Sequence, residues 1–319
     1  MKKTVILSLA SIVAISGLQA AEDLSSMFSE GKASGQIREF SIIRNYKFSA
    51  DDDFTRKANA IGGYLKYETA ALYGLTLGSA FYTTNGFYLQ SSKETNKAVD
   101  PTLLGPDNED YSILGEAYLQ YKRGNTTFKG GRQKLNTPLA GADDARMLPN
   151  LFEAYMLSNT DIPDTTLVVG QIMRFAQGTF GRAYNADPTS PANQILAATG
   201  GYSAVDSRNQ VGSFENMGSY AVGTHTDGVS VASATYTGVK GLKVQLWDYY
   251  AHDILNAVYG QVDYSMQVGA VKPFVAGQFI KEDNVGDNLL KNMNPGSDGK
   301  IDSLFWGVKA GMTIENLTA

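Results

Sequence analysis

An all-β chain built as an antiparallel transmembrane β-barrel is the fold class the sequence predicts, on three observations. Twelve segments of strand length, rich in Tyr, Phe, Val and Thr and flanked by turn formers, are spread along the 319 residues. Beyond the first twenty residues no apolar run reaches the roughly 20 residues a spanning helix needs, whereas a barrel strand needs only about 9 to 11 and faces lipid with every second one. Long and short connections largely take turns, which in an antiparallel barrel brings all the long ones out on one side. One apolar and one polar strand face would suit a soluble two-sheet sandwich equally well; the one-sided long connections favour the barrel.

The first element is an export signal. Lys2 and Lys3 form a basic start, Val5 to Leu18 a short apolar core, and Ala20 or Ala21 a small-residue cleavage point, the three-part pattern of a secretory leader. Residues 1–20 are therefore expected to be removed, leaving 21–319 as the barrel. Loss of Lys2 and Lys3 takes the formal net charge from −5 to −7. That acidic balance disfavours charge-driven binding to nucleic acid.

The strands follow in order. SGQIREFSIIRNY (34–46) and ANAIGGYLKYET (58–69) enclose a loop at 47–57, and a tight turn at 70–73 leads to GLTLGSAFYT (74–83). After a loop at 84–110 come YSILGEAYLQYK (111–122) and NTTFKGGRQK (125–134), joined by the Arg123-Gly124 turn. A loop at 135–150 precedes LFEAYMLSN (151–159), and a short link at 160–164 precedes TTLVVGQIMR (165–174). The 175–228 connection is far longer than an ordinary loop and is expected to be extracellular and partly folded over the pore. VSVASATYT (229–237), LKVQLWDYY (242–250), LNAVYGQVDYS (255–265), KPFVAGQFI (272–280) and SLFWGVKAGMT (303–313) complete the series, with a loop at 281–302. Val244 and Leu246 oppose Lys243 and Gln245, and Gly115, Ala117, Leu119 and Tyr121 oppose Glu116 and Gln120. Twelve is an even count, as bacterial barrels require. Leu317-Thr318-Ala319 nevertheless reads as the opening of a thirteenth strand, and Ala319 is not the terminal Phe or Trp that serves assembly in many barrels. The sequence is thus expected to be incomplete at its C-terminus.

Catalytic chemistry has little material. With no Cys and two His, thiolate metal sites, cysteine nucleophiles and histidine-rich centres are excluded. His225 and His252 stand apart in sequence, and no nucleophile-elbow, zincin, phosphate-loop or EF-hand pattern is present. No enzyme activity, cofactor or metal is expected, and the acidic runs at Asp51 to Asp53 and Asp143-Asp144 read as solvated loop charge rather than Ca²⁺ sites. Trp247, Tyr249 and Tyr250 read as an aromatic anchor at the outer interface.

The most distinctive stretch is GGRQKLNTPLAGADDARMLPNLFEAYMLSNTDIPDTTLVVGQIMR (130–174). Its loop carries Lys134, Asp143, Asp144 and Arg146 between Pro138 and Pro149, a composition suited to folding inward and being held by charge-assisted hydrogen bonds. Gly131-Arg132-Gln133, Thr137-Pro138, Asp144-Ala145-Arg146-Met147-Leu148-Pro149 and the Phe152-Glu153-Ala154 return resemble the OprD family of outer-membrane porins, particularly the type of epsilon-class proteobacteria. The resemblance extends through the signal peptide and the distal strands, including Val262-Asp263-Tyr264-Ser265. It implies an 18-stranded barrel, trimeric or more loosely associated, with inward-folded third and fourth loops and a basic wall path for carboxylate-bearing solutes. On that comparison about six strands are missing.

The resemblance implies that Arg146 sits in the third-loop motif, with Arg132 and Arg174 at the outer ends of adjoining wall strands. Lys134 matches more loosely and Arg38 more loosely still. A guanidinium stays charged and offers a fork of donors to a carboxylate. Asp143 and Asp144 would attract the cationic part of a zwitterion or hold Arg146 in place. The competing readings are a loop-folding ion pair for Arg146, and pairing with anionic outer-leaflet lipopolysaccharide for Arg132 and Arg174. The expected function is passive diffusion of small hydrophilic solutes and ions across the outer membrane; a non-conducting adhesive barrel and a soluble periplasmic binding protein are the alternatives.

Overall fold

The structure, a computed structural model, describes residues 20–46, 54–86, 100, 102–105, 109–179, 213–293, 296–314 and 317–318. Its long strands are β1 (Lys32–Tyr46), β2 (Phe54–Glu68), β3 (Leu75–Gly86), β4 (Tyr111–Arg123), β5 (Thr126–Gln133) and β6 (Leu151–Asn159). They continue as β7 (Thr165–Ala176), β8 (Val229–Tyr236), β9 (Leu242–Ala251), β10 (Leu255–Ser265), β11 (Val271–Asp283) and β12 (Asp302–Ile314). Each corresponds to one of the twelve expected segments. Sequential strands are hydrogen-bonded neighbours. The pairs β1/β2 and β2/β3, and every successive pair from β7 to β12, are antiparallel. Leu317 and Thr318 pair antiparallel with Ile314 and Thr313.

Elements the sequence reading missed are short. Helix α1 (Leu24–Ser29) is capped by Asp23, whose side chain accepts from the Ser26 amide at 2.7 Å. Its Met27 packs with Ala21 and Ala70. Ala20–Ala21 pairs parallel with Ala71–Leu72, inside what was expected to be a bare turn. The 175–228 connection is not irregular throughout: helix α2 (Met217–Val222) ends in Gly223 at φ 73°, a left-handed cap. Arg182 and Arg208 of that connection, and Asp51 to Asp53, lie outside the described residues.

Two compact units divide the chain: Met1–Gln120, Gly131–Glu153 and Arg174–Glu215 in one, and Tyr121–Gly130, Ala154–Met173 and Asn216–Ala319 in the other. In the first unit, register puts Arg38, Phe40 and Ile42 of β1 opposite Gly62, Ala60 and Ala58 of β2, and Tyr64 opposite Tyr82 of β3. That face is buried and mixed: Tyr82 and Ala80 are 1% exposed and Glu116 of β4 2%. The other face leaves Ile37, Ile61, Leu65, Phe81 and Leu119 exposed. Apolar outside and polar inside reverses a soluble protein and suits a strand with lipid on one side and water on the other.

The second unit repeats the pattern. Across β7 to β12 one face carries Leu167, Ala234, Leu246, Val262, Phe279 and Trp306, with Trp306 76% exposed. The other carries Lys243, Gln245, Gln261, Asp263, Gln278 and Lys309. Trp247 and Tyr249 share the face of Gln245, are buried, and stack with ring centroids 5.9 Å apart. The expected outer-interface anchor therefore reduces to Tyr250, because strand parity turns the other two to the polar face.

Candidate functional site: the inward loop at 135–150

Small side chains make room for the loop. Ala58 and Ala60 of β2 and Ala80 of β3 line the polar face of the first unit, and Met147, Leu148 and Leu151 pack onto them beside Tyr82, Leu103 and Leu104. Leu135, Met147 and Leu148 are each at most 2% exposed. Burying such side chains is worth about 1.5–3 kcal/mol each, enough to pin a loop whose backbone bonds are few. Those bonds include Asn150 N–H to Ala142 O at 2.6 Å and Thr137 N–H to Ala140 O at 2.9 Å. Upstream, Gly131 takes φ +120°, and a Cβ there would stand 2.3 Å from the Ala117 carbonyl oxygen, so the Gly-Arg-Gln start of the motif requires glycine.

Polar contacts complete the attachment, and they differ from the expected ones. The Arg38 guanidinium of β1 grips Asp144 with both forks, Nη1 to Oδ1 at 2.5 Å and Nη2 to Oδ2 at 3.0 Å, and Nη1 also donates to the Arg146 carbonyl at 2.7 Å. Gln36 Oε1 accepts from Arg38 Nε at 2.6 Å. Lys134 Nζ lies 3.8 Å from Asp144 Oδ2 and 5.7 Å from the Tyr64 ring centre. Asp144 thus braces the loop through Arg38 and not through Arg146. The Arg146 guanidinium lies 5.1 Å from the Phe40 ring centre, and its Nη1 donates to Ala145 O at 2.9 Å. Asp143 is exposed, with φ 42°.

Arg132 stands apart from that cluster. Its guanidinium lies 4.5 Å from the Phe214 ring centre, Nε is 3.8 Å from Glu153 Oε2, and Nη1 donates to Leu114 O at 3.4 Å. Arg174, exposed near the end of β7, makes none of these contacts.

A second polar group went unread in the sequence. Lys66 Nζ of β2 donates to Glu116 Oε2 of β4 at 2.9 Å, and Tyr82 donates to Glu116 Oε1 at 2.7 Å. The Tyr118 hydroxyl bonds to Glu68. Both links run between β2 and β4 over the intervening β3, where register sets Ala80 beside Lys66 and Gly78 beside Glu68. The Tyr118 ring occupies the space a Gly78 side chain would need, 2.2 Å from an added Cβ. Alternation in β4 already set Glu116 and Gln120 on one face; the cation two strands away needed the fold.

Histidine is not isolated either. His252 Nε2 is 2.9 Å from Ser230 Oγ, but Ser230 gives its only proton to Gln171 Oε1 at 2.6 Å. Nε2 must then be the donor to the serine oxygen, the reverse of a general base. Among the described residues no group of three or more His, Asp or Glu could hold a metal ion.

Residues 26–184 match the family described as outer membrane porin, OprD family. No curated protein matches the chain by sequence. Among solved structures, OccK9 (OpdG) of Pseudomonas aeruginosa superposes with a TM-score of 0.68 at 18% identity, over 91% of this chain and 66% of that one. OpdK with vanillate, from the same organism, gives 0.63 at 14% identity over 90% and 65%. OccK2 (OpdF) in complex with glucuronate, again from P. aeruginosa, gives 0.61 at 16% over 91% and 62%. The chain therefore spans less than two thirds of the length of each. The family match over residues 26–184 and the shared fold both point to the OprD family of outer-membrane porins, proteins of the outer membrane.

Proposed function

We propose that the chain acts as a passive diffusion channel for small hydrophilic solutes and ions across the bacterial outer membrane. The observation that carries this reading is a charged loop lying on the polar face of strands whose opposite face is apolar. Such strands satisfy their backbone hydrogen bonds sideways and leave one face for water. A loop attached to that face narrows the passage, and its charges select what enters. Passage needs no energy coupling and no chemical conversion.

Carboxylate-bearing solutes are the proposed preference, with Arg146, Arg132, Arg174 and Lys134 as guiding cations and Asp143 and Asp144 as their opposed field. What supports it is that the related OpdK and OccK2 carry vanillate and glucuronate, both carboxylates, in their structures. Insertion by the barrel assembly machinery, contact with lipopolysaccharide, and a homotrimer belong to the same proposal. Planar-bilayer recording of detergent-extracted protein tests it: discrete current steps are expected. Insertion without current would favour a non-conducting barrel, and solubility without detergent would sink the membrane reading.

A further inference from the structure

Three glutamines stand side by side on the polar face of the second unit. Register places Gln245 of β9 opposite Gln261 of β10, Gln261 opposite Gln278 of β11, and Gln278 opposite Gly307 of β12. One level along, Lys243 faces Asp263, Asp263 faces Ala276, and Ala276 faces Lys309. The fourth place in the glutamine row is therefore empty of side chain. Nothing in the backbone demands glycine there: a Cβ on Gly307 would meet only Gln278 side-chain atoms, at 3.8 and 3.9 Å. The gap opens a cavity of about 210 Å³ lined by Gln261, Ala276, Gln278, Gly307 and Lys309 among others.

The hydrogen bonds divide the row into a fixed part and an open part. Gln261 Oε1 accepts from Gln245 Nε2 at 2.9 Å and from the Tyr259 hydroxyl. Gln261 Nε2 donates to both Asp263 oxygens, at 2.9 and 2.8 Å, so this amide is saturated and held. Among the described residues, the Gln278 side chain has a single polar contact, at 3.4 Å, with Tyr259, whose one proton is committed to Gln261. Its amide keeps two donor hydrogens and an acceptor oxygen facing the cavity. Lys309 stands beside it, its ammonium 5.5 Å from the Phe274 ring centre.

We propose that this row is a hydrogen-bonding subsite for uncharged polyhydroxyl solutes such as small sugars, with Gln278 as the contacting residue and Gln261 as a positioning residue. Hydroxyl groups donate and accept together, matching an amide that does the same; a carboxylate could take the Gln278 amide hydrogens and the Lys309 ammonium but, as an acceptor only, would leave the Gln278 carbonyl unpaired. The site rests on the channel reading, because it needs this face to be wet.

The test is NMR of side-chain amides in the detergent-solubilised chain during titration with glucose. Saturable shifts of the Gln278 amide are expected, with smaller ones at Gln261. Gln278→Leu removes the contact, and Gly307→Leu fills the gap while leaving the amides in place. Either should weaken apparent glucose binding roughly 3- to 10-fold, as expected for loss of about one neutral hydrogen bond. No saturable shift in the unmodified chain overturns the subsite, and equal or tighter response to acetate overturns its chemical class. Absence of bilayer current would count against the channel reading alone, because the amide titration judges the subsite without it.

Discussion

Replacing Arg38 by Met should free the 135–150 loop without unfolding the strands. Arg38 and Asp144 are 18% and 30% exposed at their side chains, between the fully wet pairs worth about 0–1 kcal/mol and the buried ones that cost about 3–5 kcal/mol when one partner is removed. The substitution also deletes the 2.7 Å bond to the Arg146 carbonyl, while Lys134 at 3.8 Å still screens part of the Asp144 charge. A loss of about 1–3 kcal/mol in loop attachment follows. The apolar anchors Met147 and Leu148 remain, so the strands keep their stability. Hydrogen exchange at the Asn150 and Thr137 amides reports loop opening and should speed up roughly 5- to 150-fold, and single-channel noise should rise with it. Asp144→Asn should act similarly, and the double variant should show coupling. Exchange unchanged within about twofold in both single variants, or additive effects in the double, would refute the latch.

If the proposed channel runs past Arg146, Arg146→Ala removes a fixed positive charge from its wall and should shift the reversal potential in a salt gradient toward cations; an unchanged potential would take Arg146 off the selectivity path. Gly131→Ala should cost more than about 1 kcal/mol, through a backbone angle that L residues avoid and the 2.3 Å approach to Ala117, seen as earlier thermal loss of the heat-modifiable folded form. Of the two tryptophans, Trp306 should be quenched by acyl-brominated lipid and Trp247 should not; the opposite pattern would reverse the two faces. In the β6–β7 turn, hydrogen bonds from Asn159 and Asn125 hold the Asp161 carboxylate below its usual range. Its contribution is present above the unfolded value of about 3.9 and is lost as pH falls through the lowered folded value. An NMR titration midpoint at or above about 3.9 would contradict this.

The strands were legible because side-chain alternation is written residue by residue, and the 135–150 loop because Pro138, Pro149 and paired acids beside arginine are local signals. What depends on lateral pairing was not legible. Arg38 ranked below Arg146 in the sequence, yet it holds Asp144, because β1 and the loop meet only once the alanines at 58, 60 and 80 have made space. Trp247 lies on the face of Lys243 and Gln245, as the period-2 alternation alone dictates, against the general preference of aromatics for the interface. Helices α1 and α2 are 6 residues each, too short to show a helical period.

The bare stretch of β3 at Gly78 and Ala80 has a consequence for assembly. Sliding one strand past its neighbour by a single residue exchanges the two faces and is opposed by the whole hydrophobic pattern, but sliding by two preserves polarity and is opposed by almost nothing. Here a two-residue slip of β3 would bring Thr76 or Tyr82 under side chains that now cross open backbone, and the Lys66–Glu116 and Tyr118–Glu68 bridges would be wedged apart. Stitching across a neighbour thus works as a gauge: only the correct in-phase alignment lets the three strands close together, so a misregistered sheet is rejected by its own side chains.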